Sequence, residues 1–200
     1  MPAPSITSSN DMSKNPYIFN VLHRVHFMKH LKYYTKQDIL SLTKIRRFET
    51  KLGEMLQVID DQHNLEKSLN DTISKYVLIG IPEDIGVRAN SGIGGTDTAW
   101  LPFLQSFLNI QSNDFLLGDE ILVLGHFDFG DIQFLIDKNA QDGDEKLEAY
   151  RHAVNAIDDE VEGLIKLVTS AKKFQLLLEE GIIMHIHLSK EPPRDCIKPG

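Results

Sequence analysis

The chain alternates short apolar runs with longer amphipathic segments, and this alternation predicts an α/β domain. Tyr76–Ile81 is apolar, rich in β-branched residues and too short for a helix, which is typical of a strand buried on both faces of a parallel sheet. Residues 121–124 have the same character. Between them, apolar side chains spaced by three and four positions predict a helix: Trp100, Phe103, Leu104, Phe107 and Leu108. This order of elements favours a parallel sheet flanked by helices.

Further helices are predicted on either side of this unit. Residues 145–173 carry the longest apolar stripe at helical spacing, with acidic residues at the start and lysines at the end, as the helix dipole favours. Thr35 and Asp38 have the spacing of a capping box before a short helix. Residues 50–60 predict another helical piece, and residues 64–74 a polar helix or loop.

A polar, glycine-rich loop is predicted at residues 82–99. Pro82 ends the first strand because proline has no N–H for a sheet ladder. The glycines at 92, 94 and 95 lack the spacing of a dinucleotide fingerprint, and no Gly-Lys-Ser/Thr follows, which argues against a nucleotide site. In open α/β sheets, ligands bind at the carboxyl ends of the strands, so this loop is the first place to expect a site.

Four segments resemble one known family. They are IGIPEDIGVRAN, GIGGTDTAW, FLNIQSNDFL and ILVLGHFDF, and together they resemble the ureohydrolase superfamily of arginases and agmatinases, most closely its formimidoylglutamase-like branch. The resemblance covers roughly residues 31–173. It implies the N-terminal part of a three-layer α/β/α, arginase-like fold with a parallel sheet, and a hydrolase that cleaves a guanidino or formimidoyl C–N bond with two manganese ions.

The same resemblance suggests where a substrate would lie. The loop after the first strand is near the active-site mouth in the family, so Glu83, Asp84 and Asn90 are candidates for the rim of a substrate pocket. The alternative is that two adjacent carboxylates at a turn are solvated. The implied partner is a small amidine or guanidino compound such as arginine, agmatine or formimidoylglutamate.

The family's metal-binding motifs are missing from the chain. Neither Gly-Gly-Gly-His-Asn-Asn nor Asp-x-His-x-Asp occurs in the sequence. A hydroxide nucleophile at neutral pH needs bound metal, so no catalytic residue, no metal ligand and no manganese is expected in this chain as written. His126 and Asp128 are spaced like metal ligands, but the matching segment of the family holds none, which favours a structural or rim role.

Other histidines are weaker candidates for a metal site. His185 and His187 lie two residues apart on a predicted strand and suit zinc, yet no third ligand accompanies them. His23, His26 and His30 have helical spacing without an acidic or cysteine partner nearby in the sequence. A structural role is the better interpretation for all of these.

Three segments follow from the resemblance. Residues 1–27 are predicted to be disordered or translated from upstream sequence, residues 28–173 are the N-terminal part of a ureohydrolase-like domain, and residues 174–200 are an out-of-frame tail. Shifted by one base, the codons of the tail permit IPIVIGGGHNNAYPFIKGTAKGLHKAG, which resembles the family's continuation with its metal-binding histidine. Three hypotheses remain open: a truncated enzyme, a non-catalytic binding or dimerisation module, and the product of a broken reading frame.

Composition limits the classes of partner and the cellular location that the chain suits. The formal net charge of −8 argues against nucleic acid and anionic membranes. Cys196 is the only cysteine, so no internal disulfide forms, which suits the cytoplasm. No apolar run approaches the ~20 residues of a membrane span. Two hundred residues suit one domain, and homo-oligomers are compatible with it.

Overall fold

The centre of the fold is a five-stranded sheet with the strand order β1-β3-β2-β4-β5. The structure, a computed structural model, describes residues 28–140, 143–179 and 182–186. The strands are β1 (Leu31–Tyr33), β2 (Tyr76–Ile81), β3 (Ile121–Phe127), β4 (Phe174–Glu179) and β5 (Ile182–Ile186). β2 runs parallel to both of its neighbours, β3 and β4, whereas β1 and β5 are antiparallel edge strands.

The pairing of the two apolar runs is confirmed, but a purely parallel sheet is wrong. Tyr76 lies opposite Ile121 and Leu78 opposite Val123 in a parallel ladder. The sheet is mixed because a short strand is added at each edge. An antiparallel strand can follow its partner closely in the sequence, as β5 follows β4 at Ile182, whereas a parallel strand needs a long crossover.

The helices agree with the pattern in part. They are α1 (Lys36–Leu42), α2 (Leu52–Met55), α3 (Leu65–Asp71), α4 (Ile85–Ala89), α5 (Trp100–Leu108), α6 (Gly130–Asn139) and α7 (Gly143–Ser170). The predicted capping box is confirmed, because the backbone N–H of Asp38 donates to Thr35 and the backbone N–H of Thr35 donates to the Asp38 carboxylate at 2.8 Å. The loop predicted over residues 82–99 is interrupted by α4, and the pattern missed α6.

Helices cover both faces of the sheet because consecutive strand residues point to opposite sides. Val77, Ile79 and Ile81 face one apolar cluster, which includes side chains of α7 such as Leu164. Leu78 faces the other cluster with Trp100 of α5. Fully burying one such aliphatic side chain stabilises a fold by about 1.5–3 kcal/mol, so both layers contribute to holding β2 at the centre.

The sheet continues past residue 173. β4 begins at Phe174 and pairs in parallel with β2 along its whole length, from Tyr76–Phe174 to Ile81–Glu179. The start of the tail is therefore placed as a strand. A shift of the reading frame concerns the coding sequence and stays a prediction. Residues 1–27, with His23 and His26, lie outside the described residues, and so does His187.

Candidate functional site

A pocket of about 180 Å³ lies where β2 and β3 end, at the same edge of the sheet. Parallel strands bring their carboxyl ends together, and this is where α/β folds place ligands. Three segments line it, and their residues are Pro82, Glu83, Ile85, Asp97, His126, Phe127, Asp128, Phe129, Gly130 and Gln133. A second pocket, of about 460 Å³, is lined by residues 57–61, 67–68 and 71–73 instead and lacks the strand ends.

An irregularity in β3 sets the direction of His126. The register with β2 shifts between Leu78 and Ile79, so that Ile79 pairs with Gly125 and one residue of β3 is skipped. Such a bulge reverses which face the following side chains occupy. The His126 ring therefore packs 6.5 Å from the ring of Trp100, while Phe127 joins the apolar cluster on the opposite face.

Gly125 makes this bulge sterically possible. Its φ is +152°, and a Cβ added there would lie 1.9 Å from the backbone oxygen of Lys32 on β1. Only glycine fits both the backbone conformation and the close approach of the edge strand. The position of His126 thus depends on the residue directly before it.

The protein environment favours the neutral imidazole of His126. Burial lowers its pKa most strongly, the charge of Asp128 opposes this, and Lys32 lowers the pKa further, with a net shift below the ordinary histidine value. Its Nδ1 atom is buried and has no hydrogen-bond partner among the described residues. Tyr34 lies 5.5 Å from the ring and extends the aromatic surroundings.

Asp84 anchors the glycine-rich loop rather than a ligand. Its buried carboxylate accepts the backbone N–H groups of Gly95 at 2.7 Å, Thr96 at 2.9 Å and Asp97 at 3.2 Å, as well as the Thr96 hydroxyl at 2.7 Å. Arg88 lies 3.6 Å from the same carboxylate. Burial raises the pKa of Asp84, but these hydrogen bonds lower it, and the net pKa lies below the ordinary value.

The other two candidates for the pocket rim, Glu83 and Asn90, lie in different surroundings. Glu83 is buried, lines the pocket, and accepts the backbone N–H of Gly86 at 2.9 Å. Asn90 is exposed at the end of α4, and its side chain donates to the carbonyl of Gly86 at 3.1 Å; the residues that line the pocket do not include it. The adjacent carboxylates Glu83 and Asp84 are both buried, so the interpretation of a solvated pair is wrong.

Sequence reasoning missed Asp97 and Gln133 at this pocket. Asp97 stands in GIGGTDTAW, and a carboxylate in a loop after a buried strand was a usable signal. Gln133 lies on α6, which the pattern did not predict. Together with Glu83 and Asp128, Asp97 makes the pocket rich in carboxylates, and such a cavity attracts cations and accepts N–H donors.

The described residues offer no ready ligand set for a pair of manganese ions. Among residues 28–140, 143–179 and 182–186, no group of three or more His, Cys, Asp or Glu side chains is arranged to hold a metal ion. His30 has no acidic partner nearby in the sequence, but the fold brings two acidic neighbours to it in space, Glu160 and Asp131. His185 belongs to the edge strand β5.

No helix in the described part of the chain combines the length and the apolarity needed to cross a lipid bilayer. Comparison with known protein families, with curated proteins and with solved structures found no match to this chain.

Proposed function

We propose that this chain is the N-terminal part of a ureohydrolase-like domain and that its pocket binds the amidinium or guanidinium group of a small molecule. One observation supports this most directly. Glu83, Asp97 and Asp128 come from three of the segments that carry the family resemblance, and they line the same pocket. Segments that are about 45 positions apart in the sequence meet there because the parallel strands end side by side.

The chemistry of the pocket suits a planar cation. Carboxylates accept pairs of N–H groups from a guanidinium or amidinium, and such charge-assisted hydrogen bonds are among the strongest in proteins. The neutral ring of His126 and the aromatic ring of Phe129 supply less polar walls. A pocket of about 180 Å³ suits a small head group, with the rest of the ligand extending into solvent.

In the same proposal, the chain as written binds this group without hydrolysing it. In the intact family, two manganese ions generate the hydroxide that attacks the amidine carbon. The described residues offer no fitting ligand set, so their part is limited to binding and orienting the cation. The arginase-like three-layer fold and the manganese pair belong to a frame-restored form of the protein.

The test compares the 200-residue protein with a frame-restored one. We expect the chain as written to bind agmatine in a calorimetric titration, to lose affinity in Asp128→Asn, and to keep it in the control Asp60→Asn. We expect manganese-dependent amidinohydrolase activity only after one base is restored near the codons for residues 172–174. Coding sequence that lacks GGN-GGN-GGN-CAY in the shifted frame would disprove the frame shift, and stoichiometric manganese in the unaltered chain would disprove its inactivity.

Exposed aromatic side chains favour a second candidate function, a non-catalytic module that dimerises. Phe115 is fully exposed and Phe48 is 90% exposed. Their loops are joined by a backbone hydrogen bond of 2.8 Å from Ser112 to Thr50. In this case sedimentation would show a dimer that Phe115→Ser dissociates, and agmatine would not bind.

A further inference from the structure

A short backbone ladder outside the pocket places two surface turns next to each other. Ser112 donates its backbone N–H to the carbonyl oxygen of Thr50 at 2.8 Å. The neighbouring residues, Lys51 and Gln111, form an antiparallel bridge. Because the pairing is antiparallel, the chain before Thr50 and the chain after Ser112 leave this ladder at the same end. The turns on these two segments therefore lie side by side.

The turn after the ladder, residues 113–116, presents Phe115 to solvent and is called the acidic turn below. The backbones of Asn113 and Leu116 exchange two hydrogen bonds, at 3.2 and 3.0 Å. The Asn113 side chain also accepts the backbone N–H of Phe115 at 2.9 Å. Phe115 is fully exposed, and its neighbour Asp114 is exposed as well. These hydrogen bonds order the turn in advance, which reduces the entropy that a partner must remove on binding.

The turn before the ladder, residues 46–49, presents Phe48 in a similar way and is called the basic turn. The backbone N–H of Glu49 donates to the carbonyl oxygen of Arg46 at 3.3 Å and closes the turn. Phe48 has a φ of +67°, in the left-handed region that bulky residues rarely adopt. Its ring is 90% exposed, and the Arg47 guanidinium lies 4.6 Å from the ring centre. Strained residues of this kind cluster at binding sites.

The charges on the two turns complement each other between two copies of the chain. Arg47 and Asp114 are both exposed, and neither forms an ion pair with another described residue. Each copy has a formal net charge of −8, so two copies repel unless cations of one meet anions of the other. In a two-fold dimer, residue i of one copy meets residue j of the other, and the reverse contact also forms. A two-fold axis between the adjacent turns therefore places each basic turn on the other copy's acidic turn.

We propose that two copies of this chain pair through these turns, with Arg47 of each copy facing Asp114 of the other and with Phe48 and Phe115 covering each other. An acidic peptide or an anionic membrane would attract Arg47 but repel Asp114, whereas a second copy complements both charges. The pairing rests on the second candidate function, dimerisation, and gives it a defined interface. It is compatible with ligand binding, because none of these four residues lines the pocket.

The experiment is a charge exchange in the full 200-residue chain, followed by sedimentation equilibrium. We expect a wild-type dimer with a Kd in the micromolar range. Arg47→Glu and Asp114→Arg should each raise the Kd about tenfold or more, because each creates like-charge contacts at two symmetric places. The double variant should return to within about threefold of the wild-type Kd, because the pair is restored with its charges exchanged.

Lys138→Glu is the matched control. Lys138 is also an exposed cation beside an exposed ring, 5.9 Å from the centre of Phe134, and its reversal changes the net charge by the same amount as Arg47→Glu. It lies on α6, away from both turns, and should leave the Kd unchanged. All three substituted positions are exposed, so the variants should fold, which circular dichroism checks.

Three results would overturn this pairing. A wild type that stays monomeric up to about 100 μM would also remove dimerisation as a candidate function. A dimer that the double variant does not restore would leave dimerisation standing but through another surface. A monomer that binds polyglutamate or phosphatidylserine vesicles through Arg47 would assign the turns to a different partner. Agmatine titration of Arg47→Glu should match the wild type, so failure of ligand binding in the pocket is recorded separately.

Discussion

The two segments that follow β2 and β3 place an aspartate at the same edge of the sheet, yet the two carboxylates differ in every other respect. Asp84, after β2, is 2% exposed and accepts hydrogen bonds from three backbone N–H groups and one hydroxyl. Asp128, after β3, is exposed, lines the pocket, and accepts the backbone N–H of Gly130 at 3.1 Å.

This difference shows that hydrogen-bond saturation, rather than position, separates a structural carboxylate from one available to a ligand. Every oxygen of Asp84 is occupied by its own loop, so a ligand would have to break those bonds first. Asp128 keeps acceptor capacity toward the pocket, because a carboxylate has about four lone-pair sites. Substituting each group in turn tests this difference.

The largest effect is expected from Asp84→Ala. The substitution removes a buried carboxylate, leaves the amides of residues 95–97 without their acceptor and removes the anion that faces Arg88. Losing one partner of such a buried charged network costs about 3–5 kcal/mol. The free energy of unfolding, measured by denaturant titration, should fall by this amount.

Asp128→Ala is the matched control for this experiment. Its carboxylate is exposed and accepts one backbone N–H, that of Gly130, so its loss should cost only about 1 kcal/mol. Equal losses in the two variants would show that the assigned roles of these aspartates are wrong.

A smaller loss is expected from Gly125→Ala, which tests how the bulge directs His126. The new methyl group would clash with the Lys32 carbonyl. The alanine would also be held at a φ of +152°, which is favourable only for glycine. Strain and overpacking together should cost about 2–4 kcal/mol. Gly95→Ala shares the positive φ, +131°, but meets nothing within 4 Å, so it should cost about 1 kcal/mol from strain alone. A Gly125 variant no worse than the Gly95 variant would remove the steric argument.

Much of the fold could be predicted from local patterns, whereas the site could not. Tyr76–Ile81 was predicted with its observed bounds. The strand begins where the apolar, β-branched run begins, and it ends directly before Pro82. The long helix at Gly143–Ser170 has a strong apolar period. The pocket depends on tertiary contacts. The bulge at Gly125 and the four hydrogen bonds to Asp84 form only when segments distant in the sequence meet. Gly130–Asn139 was missed because its exposed Phe134 and Leu135 blur the helical stripe.

The pH dependence of stability tests the environment of His126. Its pKa is lowered by burial, so the unfolded chain binds the proton first as the pH falls. The folded state should lose roughly 1 kcal/mol or less between about pH 7.5 and about pH 5, and no more once the folded histidine is also protonated. His126→Asn should remove this component, whereas His63→Asn, at an exposed site, should retain it. A wild type that gains stability relative to His126→Asn on acidification would reverse the assignment.

The smallest effect is expected from Asn90→Ala. Its side chain makes one exposed hydrogen bond to Gly86 at the end of α4, and it lies outside the pocket lining. The loss of folding free energy should be below about 1 kcal/mol, and the affinity for agmatine should not change.

Glu83→Gln, by contrast, keeps an acceptor for the Gly86 amide and removes a charge from the pocket. It should therefore weaken agmatine binding more than it weakens folding. If Asn90→Ala instead reduced affinity as much as Glu83→Gln, the binding surface would extend beyond the strand ends to the far side of α4. The contrast between Asp84 and Asp128 would then describe only part of the site.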